Sequence, residues 1–195
     1  MRERSRWIAD VDAHPGDAPD LALAVLGWLV GTGVVVAEQT DCVLGDVPGG
    51  YAPGPSAQTI VTGDLPGLPD VWPNGLEIDV GRGAYYGPIT EDDRVTCPRC
   101  GAWLPFETVL PEIEEWLEGG PGSLVCARCD ARTSLNDWRW PVSCAFAELG
   151  LRFWNWPPLT DDFVTELARR LGHRLVTGET TPWPDPGLER GLERG

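Results

Sequence analysis

Lysine is missing altogether. All 15 basic residues of the 195-residue chain are arginine, and Met1 is the sole methionine. No Schiff-base lysine, phosphate-binding P-loop lysine or Ser-Lys dyad is therefore available. Positive charge is scarce as well: 30 acidic residues give a net charge of -15. That balance excludes a broad surface for phosphate backbones, which need a basic face. Histidine is limited to His14 and His173, and no GxSxG, HExxH, GxGxxG or Walker A pattern occurs. Long apolar runs are few. The longest uncharged one, Leu21 to Ala37, has 17 residues and is broken by Gly27, Gly31 and Gly33. Its length sits at the lower edge for a membrane span, and its flanks (Asp17, Asp20, Glu38, Asp41) are acidic. A helix, a Gly-Thr-Gly turn and a strand fit it better, so no membrane contact is expected. Asp10 and Asp12 precede the apolar part, which argues against a signal peptide.

What is present suits one domain with an insertion. Arg6–Val11 reads as a strand, and Asp17 or Asp20 can cap a helix over about 20–30. Val34–Ala37 reads as a β-branched strand. From Gly45 to Gly75, seven glycines and six prolines in 31 positions predict loop, with a short strand at Gln58–Thr62. Leu76, Ile78 and Val80 alternate with Glu77 and Asp79, the pattern of a half-buried strand. Later, Leu151–Trp156 reads as a strand and Thr160 as the cap of a helix striped by Phe163, Val164, Leu167, Ala168 and Leu171. Glu166 can pair with Arg170, Gly172 can end the helix, and His173–Thr177 reads as the last strand. Strand–helix–strand thus occurs at 6–37 and again at 151–177. The expected fold is α+β: a ferredoxin-like β-α-β-β-α-β sandwich with an inserted four-cysteine zinc ribbon. An irregular α+β domain with two further strands is the alternative. The expected division is 1–90 for the first unit with its Gly/Pro-rich loop, 91–140 for the ribbon, 141–180 for the second unit, and 181–195 for a disordered tail.

The strongest chemical signal is cysteine spacing. Cys97-Pro98-Arg99-Cys100-Gly101 and Cys126-Ala127-Arg128-Cys129-Asp130 are two CxxC turns, with 25 residues between Cys100 and Cys126. Two such turns can bring four thiolates into tetrahedral geometry, so Cys97, Cys100, Cys126 and Cys129 are the expected metal ligands. Zn²⁺ is favoured over iron, and four protein ligands imply a structural role rather than catalysis. This segment, about 95–133, resembles the zinc-ribbon, rubredoxin-like knuckle family, with CPRCG as its specific mark. The excess length between the turns reads as a helix opened by Pro111 and stopped by Gly119-Gly120-Pro121-Gly122, with Ile113, Trp116 and Leu117 packing it down. Metal spacing rather than disulfide spacing, in a chain without a leader signal, points to a reducing, cytoplasmic setting.

Other candidates have plain readings. Asp10-Val11-Asp12 after a strand resembles the aspartate pair of the haloacid dehalogenase family, but the lysine such a site uses is missing; solvated loop carboxylates are expected. His14 and His173 have no ligand-like neighbour in sequence. Cys42 and Cys144 read as buried thiols. Ten tryptophans are many; Trp154 and Trp156 are expected on one strand face, and an exposed aromatic face would be a partner site.

The segments GWLVGTGVV, TDCVLG, NGLEIDVGRGAYY, CPRCG and ELGLRFWNWPPL together resemble a family of uncharacterised actinobacterial proteins over roughly 6–178. The sugar ABC transporter ATPase label that such proteins sometimes carry finds no support in a chain without Walker A or lysine. The resemblance implies a zinc-containing cytoplasmic domain. Composition and motifs then favour a non-enzymatic protein acting on a protein partner, regulatory or immunity-type, because acidic binders neutralise basic partners. The alternatives are a nucleic-acid-associated ribbon using Arg99 and Arg128 among Arg94, Arg132 and Arg139, and an enzyme using Asp10, Asp12 or Cys42. Arg99 and Arg128 also have a simpler role, neutralising the doubly negative metal–tetrathiolate centre.

Overall fold

The computed structural model describes residues 4–45, 48–65, 71–90 and 93–180. The tail expected to be disordered, 181–195, lies outside the described residues, as do 46–47 and 66–70 of the Gly/Pro-rich stretch. The chain is an α+β protein built on a six-stranded antiparallel sheet. Its strands are β1 (Ser5–Asp10), β2 (Val35–Thr40), β3 (Gly50–Pro53), β4 (Leu76–Tyr86), β9 (Cys144–Trp154) and β10 (Leu175–Thr180), in the order β10-β1-β9-β4-β3-β2. The helices are α1 (Ala18–Gly31), α2 (Leu110–Leu117) and α3 (Asp161–Leu171). Two small hairpins, β5 (Arg94–Thr96) with β6 (Trp103–Pro105) and β7 (Ser123–Val125) with β8 (Arg132–Ser134), lie between β4 and β9 in the chain.

Local chemistry accounts for the helices. Pro19 sits in the first turn of α1, where its missing N–H costs nothing. Asp17 holds the cap position but its side chain makes no capping bond. Thr32 closes the helix by donating from Oγ1 to Trp28 O, and Gly33 follows at φ +74°. In α3, Thr160 Oγ1 accepts from the Phe163 N–H, and Gly172 takes the left-handed turn at φ +72°. Glu166 pairs with both Arg169 and Arg170 at 2.8 Å. Both helices pack on one sheet face. Val25 and Leu29 of α1 and Phe163 and Leu167 of α3 bury against Ile8, Leu76, Leu151 and Phe153, with Trp28 stacked on Phe163 at 5.7 Å.

Several expectations shift. Val35–Thr40 forms a strand, but it pairs only with β3 at the far edge. β9 lies between β1 and β4, so the unit begun by β1 and α1 reaches the central sheet through β4. Gln58–Thr62 is mostly a 3₁₀ turn, Ala57–Ile60, with one bridge from Val61 to Leu159. Trp154 and Trp156 do not share a face. Asn155 adopts φ +58° between them, which breaks the alternation. Trp154 Nε1 then donates to Glu77, while Trp156 is buried against Phe153 and donates to Asn74 O.

The sheet also curls. β4 carries a bulge between Val80 and Gly83, with Gly81 at φ +112°. Beyond it, Tyr86 O accepts from Thr180 Oγ1 of β10, a strand three places away in the order. Trp7, Ala9, Tyr85, Ala145 and Ala147 fill the concavity this makes. Tyr85 lies directly over Gly150, where a Cβ would meet its hydroxyl at 2.1 Å.

Candidate metal centre

The two hairpins are the same structure used twice. Val95↔Leu104 and Leu124↔Thr133 hold equivalent registers, and each hairpin wraps a CxxC turn and runs into a 3₁₀ turn. Backbone bonds repeat too. Cys97 N–H donates to Ala102 O and Gly101 N–H to Cys97 O; Cys126 N–H donates to Ala131 O and Asp130 N–H to Cys126 O. The residue after the second cysteine is left-handed both times: Gly101 at φ +73° and Asp130 at φ +54°. Aspartate is among the few side chains that tolerate that region. The 29-residue repeat was available in the sequence as RVTCPRCGA against SLVCARCDA, but beyond the cysteines only arginine and alanine recur.

The four sulfurs converge. All ligand atoms of Cys97, Cys100, Cys126 and Cys129 lie within 4.8 Å of one another. Across the two turns, Cys97 and Cys129 are 3.9 Å apart and Cys100 and Cys126 3.6 Å. A tetrahedral ion bonded to sulfur at about 2.3 Å requires edges of about 3.8 Å, so these residues fit a four-thiolate metal. No disulfide joins any pair. Cys97 and Cys126 are buried and Cys100 and Cys129 exposed.

Crowding splits the thiols. The N–H groups of Arg128 and Cys129 draw Cys126 down to about 6. The Ala131 N–H favours the Cys129 thiolate, but desolvation and the sulfurs of Cys100, Cys126 and Cys97 outweigh it and push Cys129 up to about 12. A metal ion replaces those protons, so binding releases protons.

Around the sulfurs sits a separate core: Val95, Val109, Ile113, Trp116, Leu124, Leu135 and Trp138, joined to the sheet through Phe146 and Cys144 of β9. Leu110–Leu117 is helical, and its Ile113 and Trp116 are buried as expected, whereas Leu117 is exposed. Arg82 of β4 ties this core to the sheet. Its Nε bonds Glu148 at 3.0 Å, and its Nη1 donates to the carbonyls of Gly120, at 2.7 Å, and Trp116. Asn136 adds a reciprocal pair with the backbone of Phe146, at 2.7 and 2.8 Å.

The arginines around the turns are exposed, Arg99 and Arg128 on the turns themselves. Arg94 stacks on Trp103 at 3.9 Å. Arg99 contributes its N–H to Cys97 Sγ at 3.4 Å, and its side chain makes no ion pair among the described residues.

The remaining candidates fall elsewhere. Asp10 is fully buried rather than solvated. Its Oδ1 accepts from the N–H groups of Asp12 and Ala13, and its Oδ2 meets His173 Nδ1 at 2.8 Å. Asp12 stays at the surface and accepts from the Arg174 N–H. His14 is exposed. Cys42 is buried beside Gly75, and Cys144 lies in the metal-side core, where burial pushes its thiol up to about 12.

One group of residues was missed entirely. On the concave side of β4 and β9, Asp79 Oδ2 accepts from Arg152 Nε at 2.8 Å and from the Tyr85 hydroxyl at 3.0 Å. Glu77 accepts from Trp154, and Arg152 lies over the Tyr85 ring at 4.8 Å. These side chains line a cleft of about 790 Å³. Desolvation raises the Glu77 carboxyl, and desolvation with the Asp79 charge raises the Tyr85 hydroxyl. The alternation of Glu77 and Asp79 was legible, but it read as a solvent face.

Among the described residues no helix is long and apolar enough to cross a membrane. No family model matches the chain, no curated protein matches it, and no solved structure matches it.

Proposed function

We propose that this is a non-enzymatic cytoplasmic protein that holds structural Zn²⁺ in a ribbon inserted between two halves of a ferredoxin-like sandwich, and that works by binding another protein. The convergence of four cysteine sulfurs carries the metal part of the reading. Four protein ligands fill a tetrahedral ion and leave no position for substrate. Thiolates favour zinc or iron over hard cations, and zinc is the usual occupant of a closed, structural four-cysteine site. The strand order β10-β1-β9-β4 supports the sandwich, with β4 as its second strand and β2–β3 as an added edge. A net charge of -15 supports a basic protein partner, as in a regulatory or immunity-type role. The test is capture on the tagged, metal-loaded chain from its native host. A stoichiometric basic protein is expected, bound more weakly as salt rises. A chain that stays monomeric by light scattering and retains nothing would remove the reading.

Exposed Arg99 and Arg128 on the metal turns favour a second reading, a nucleic-acid-associated ribbon. It requires salt-sensitive binding that Arg99→Ala/Arg128→Ala abolishes. Absence of binding at low salt eliminates it.

A further inference from the structure

A polar pocket of about 220 Å³ lies on the seam between the sheet and the metal-side core. Three separate pieces of chain wall it: the loop after β1 with His14, the strands β4 and β9 with Arg82 and Glu148, and the ribbon with Gly122, Ser134 and Asn136. Glu148 is only 8% exposed, yet its carboxylate is half used. Oε1 accepts from Arg82 Nε at 3.0 Å. Oε2 has no partner among the described residues, and it is not sealed in as Glu112 Oε2 is. The open space beside it is this pocket. A carboxylate withdrawn from water gains most from a second charged donor, because its own hydration is incomplete. The charges around the pocket favour one. Arg82, the cation already present, is shared between Glu148 and the carbonyls of Trp116 and Gly120. Trp116 brings the end of α2 to the wall, and that helix carries Glu114 and Glu115, is followed by Glu118, and has no basic residue in its last turn.

We propose that this seam pocket takes an arginine side chain of the protein partner, whose guanidinium donates to Glu148 Oε2. The inference rests on the protein-binding reading above and gives it an anchor point. Pockets for whole small molecules run to about 300–1,000 Å³, so a pocket of about 220 Å³ suits a single side chain. Arginine offers five donors in a planar fork, enough for Glu148 Oε2 and for the spare lone pair of Ser134 Oγ on the ribbon wall; that hydroxyl otherwise accepts only the Asn136 N–H. Asn136 itself is committed to the backbone of Phe146 and shapes the wall. His14, the other basic group there, is exposed and makes no side-chain bond among the described residues. An acidic side chain would meet Glu148 on a chain that carries -15. An arginine seated in a desolvated pocket is the kind of contact that carries much of an interface's affinity.

The probe is the peptide acetyl-Gly-Arg-Gly-amide, titrated into the full metal-loaded chain and followed through the backbone amide shifts of His14, Gly122 and Asn136. The control peptide carries citrulline, which keeps the shape of arginine and removes its charge. The arginine peptide should saturate with a Kd of about 1 mM, move those three amides, and bind at least about tenfold more tightly than the citrulline peptide. Glu148→Gln, which keeps an oxygen for Arg82, should weaken it about tenfold. His14→Arg, at an exposed position outside the core, should weaken it severalfold by placing a competing cation at the pocket. Equal binding of the citrulline peptide, shifts confined to another part of the chain, undiminished binding to Glu148→Gln, or no saturation by about 10 mM overturns the proposal. Tighter binding of acetyl-Gly-Glu-Gly-amide also overturns it, in favour of an anion held by Arg82. A host partner captured equally well by Glu148→Gln would keep the protein-binding reading and remove this site. Arginine-peptide binding in the pocket with no host partner would do the reverse.

Discussion

Replacing Arg82 with alanine should uncouple the metal-side core from the sheet. The side chain makes one ion pair with Glu148, donates to the Trp116 and Gly120 carbonyls, and stacks its guanidinium 5.2 Å from the Trp116 ring. Breaking a buried ion pair from one side costs about 3–5 kcal/mol, because the remaining charge is stranded. Here Arg82 is 25% exposed and Glu148 11%, so water reaches part of the pair and the cost falls to about 2–3 kcal/mol. Stacking and the two carbonyls, which can be rehydrated at the end of α2, bring the total to about 3 kcal/mol. For a chain of this length that is a drop in Tm of roughly 6–12 °C. The assay is thermal or urea unfolding with metal at saturation, followed by both tryptophan fluorescence and far-UV dichroism, since separate transitions for the two cores would be informative in themselves. Arg82→Leu with Glu148→Leu should recover at least half of the loss, because no charge is left buried. A loss below about 1 kcal/mol, or a double variant as unstable as the sum of the singles, would refute the account of this contact.

Two further outcomes follow from the thiols and from α3. In the metal-loaded chain, no cysteine should react quickly with a thiol reagent near neutral pH. A chelator should release the four metal-site thiols and, as the metal-side core opens, Cys144, while Cys42, packed beside Gly75, should wait for denaturant; fast labelling of Cys144 in the metal-loaded chain would contradict its position and its raised thiol. Glu166, held down to about 2 chiefly by its hydrogen bond to Arg169, contributes stability that is full above its ordinary 4.5 and lost as pH falls toward 2. The stability gap between the wild-type chain and Glu166→Gln should therefore narrow over that acid window and shrink with added salt at neutral pH; a gap independent of pH would count against the pairing.

What could be read in advance was what is encoded locally. Both CxxC turns, the capped helix at Asp161–Leu171 and its Gly172 terminus depend on neighbours within a few residues, and they appear where the spacing puts them. Long-range pairing was less accessible. Val34–Ala37 reads as a β-branched strand, and a strand does form at Val35–Thr40, yet only Val35 of it is buried and β4 takes the place beside β9, because pairing depends on how the Gly/Pro-rich stretch returns the chain. Asp10 and His173 stand 163 residues apart, and only the adjacency of β1 and β10 brings them into contact. Asp10 read as a solvated loop carboxylate because turn carboxylates usually are; here two N–H groups and an imidazole compensate its burial. Asn155 shows the limit of periodicity. One left-handed residue sends Trp154 and Trp156 to different environments, and no alternation rule registers it.

The central claim is tested most directly by weighing the intact chain, purified without chelator, under native conditions. One zinc ion per chain is expected, lost on acidification, and lost in Cys97→Ser or Cys126→Ser variants, whose buried Trp116 and Trp138 would then become exposed to quenchers. Less than about half an equivalent of zinc or iron in the wild-type chain, or full metal retention after removal of either cysteine, would contradict the account.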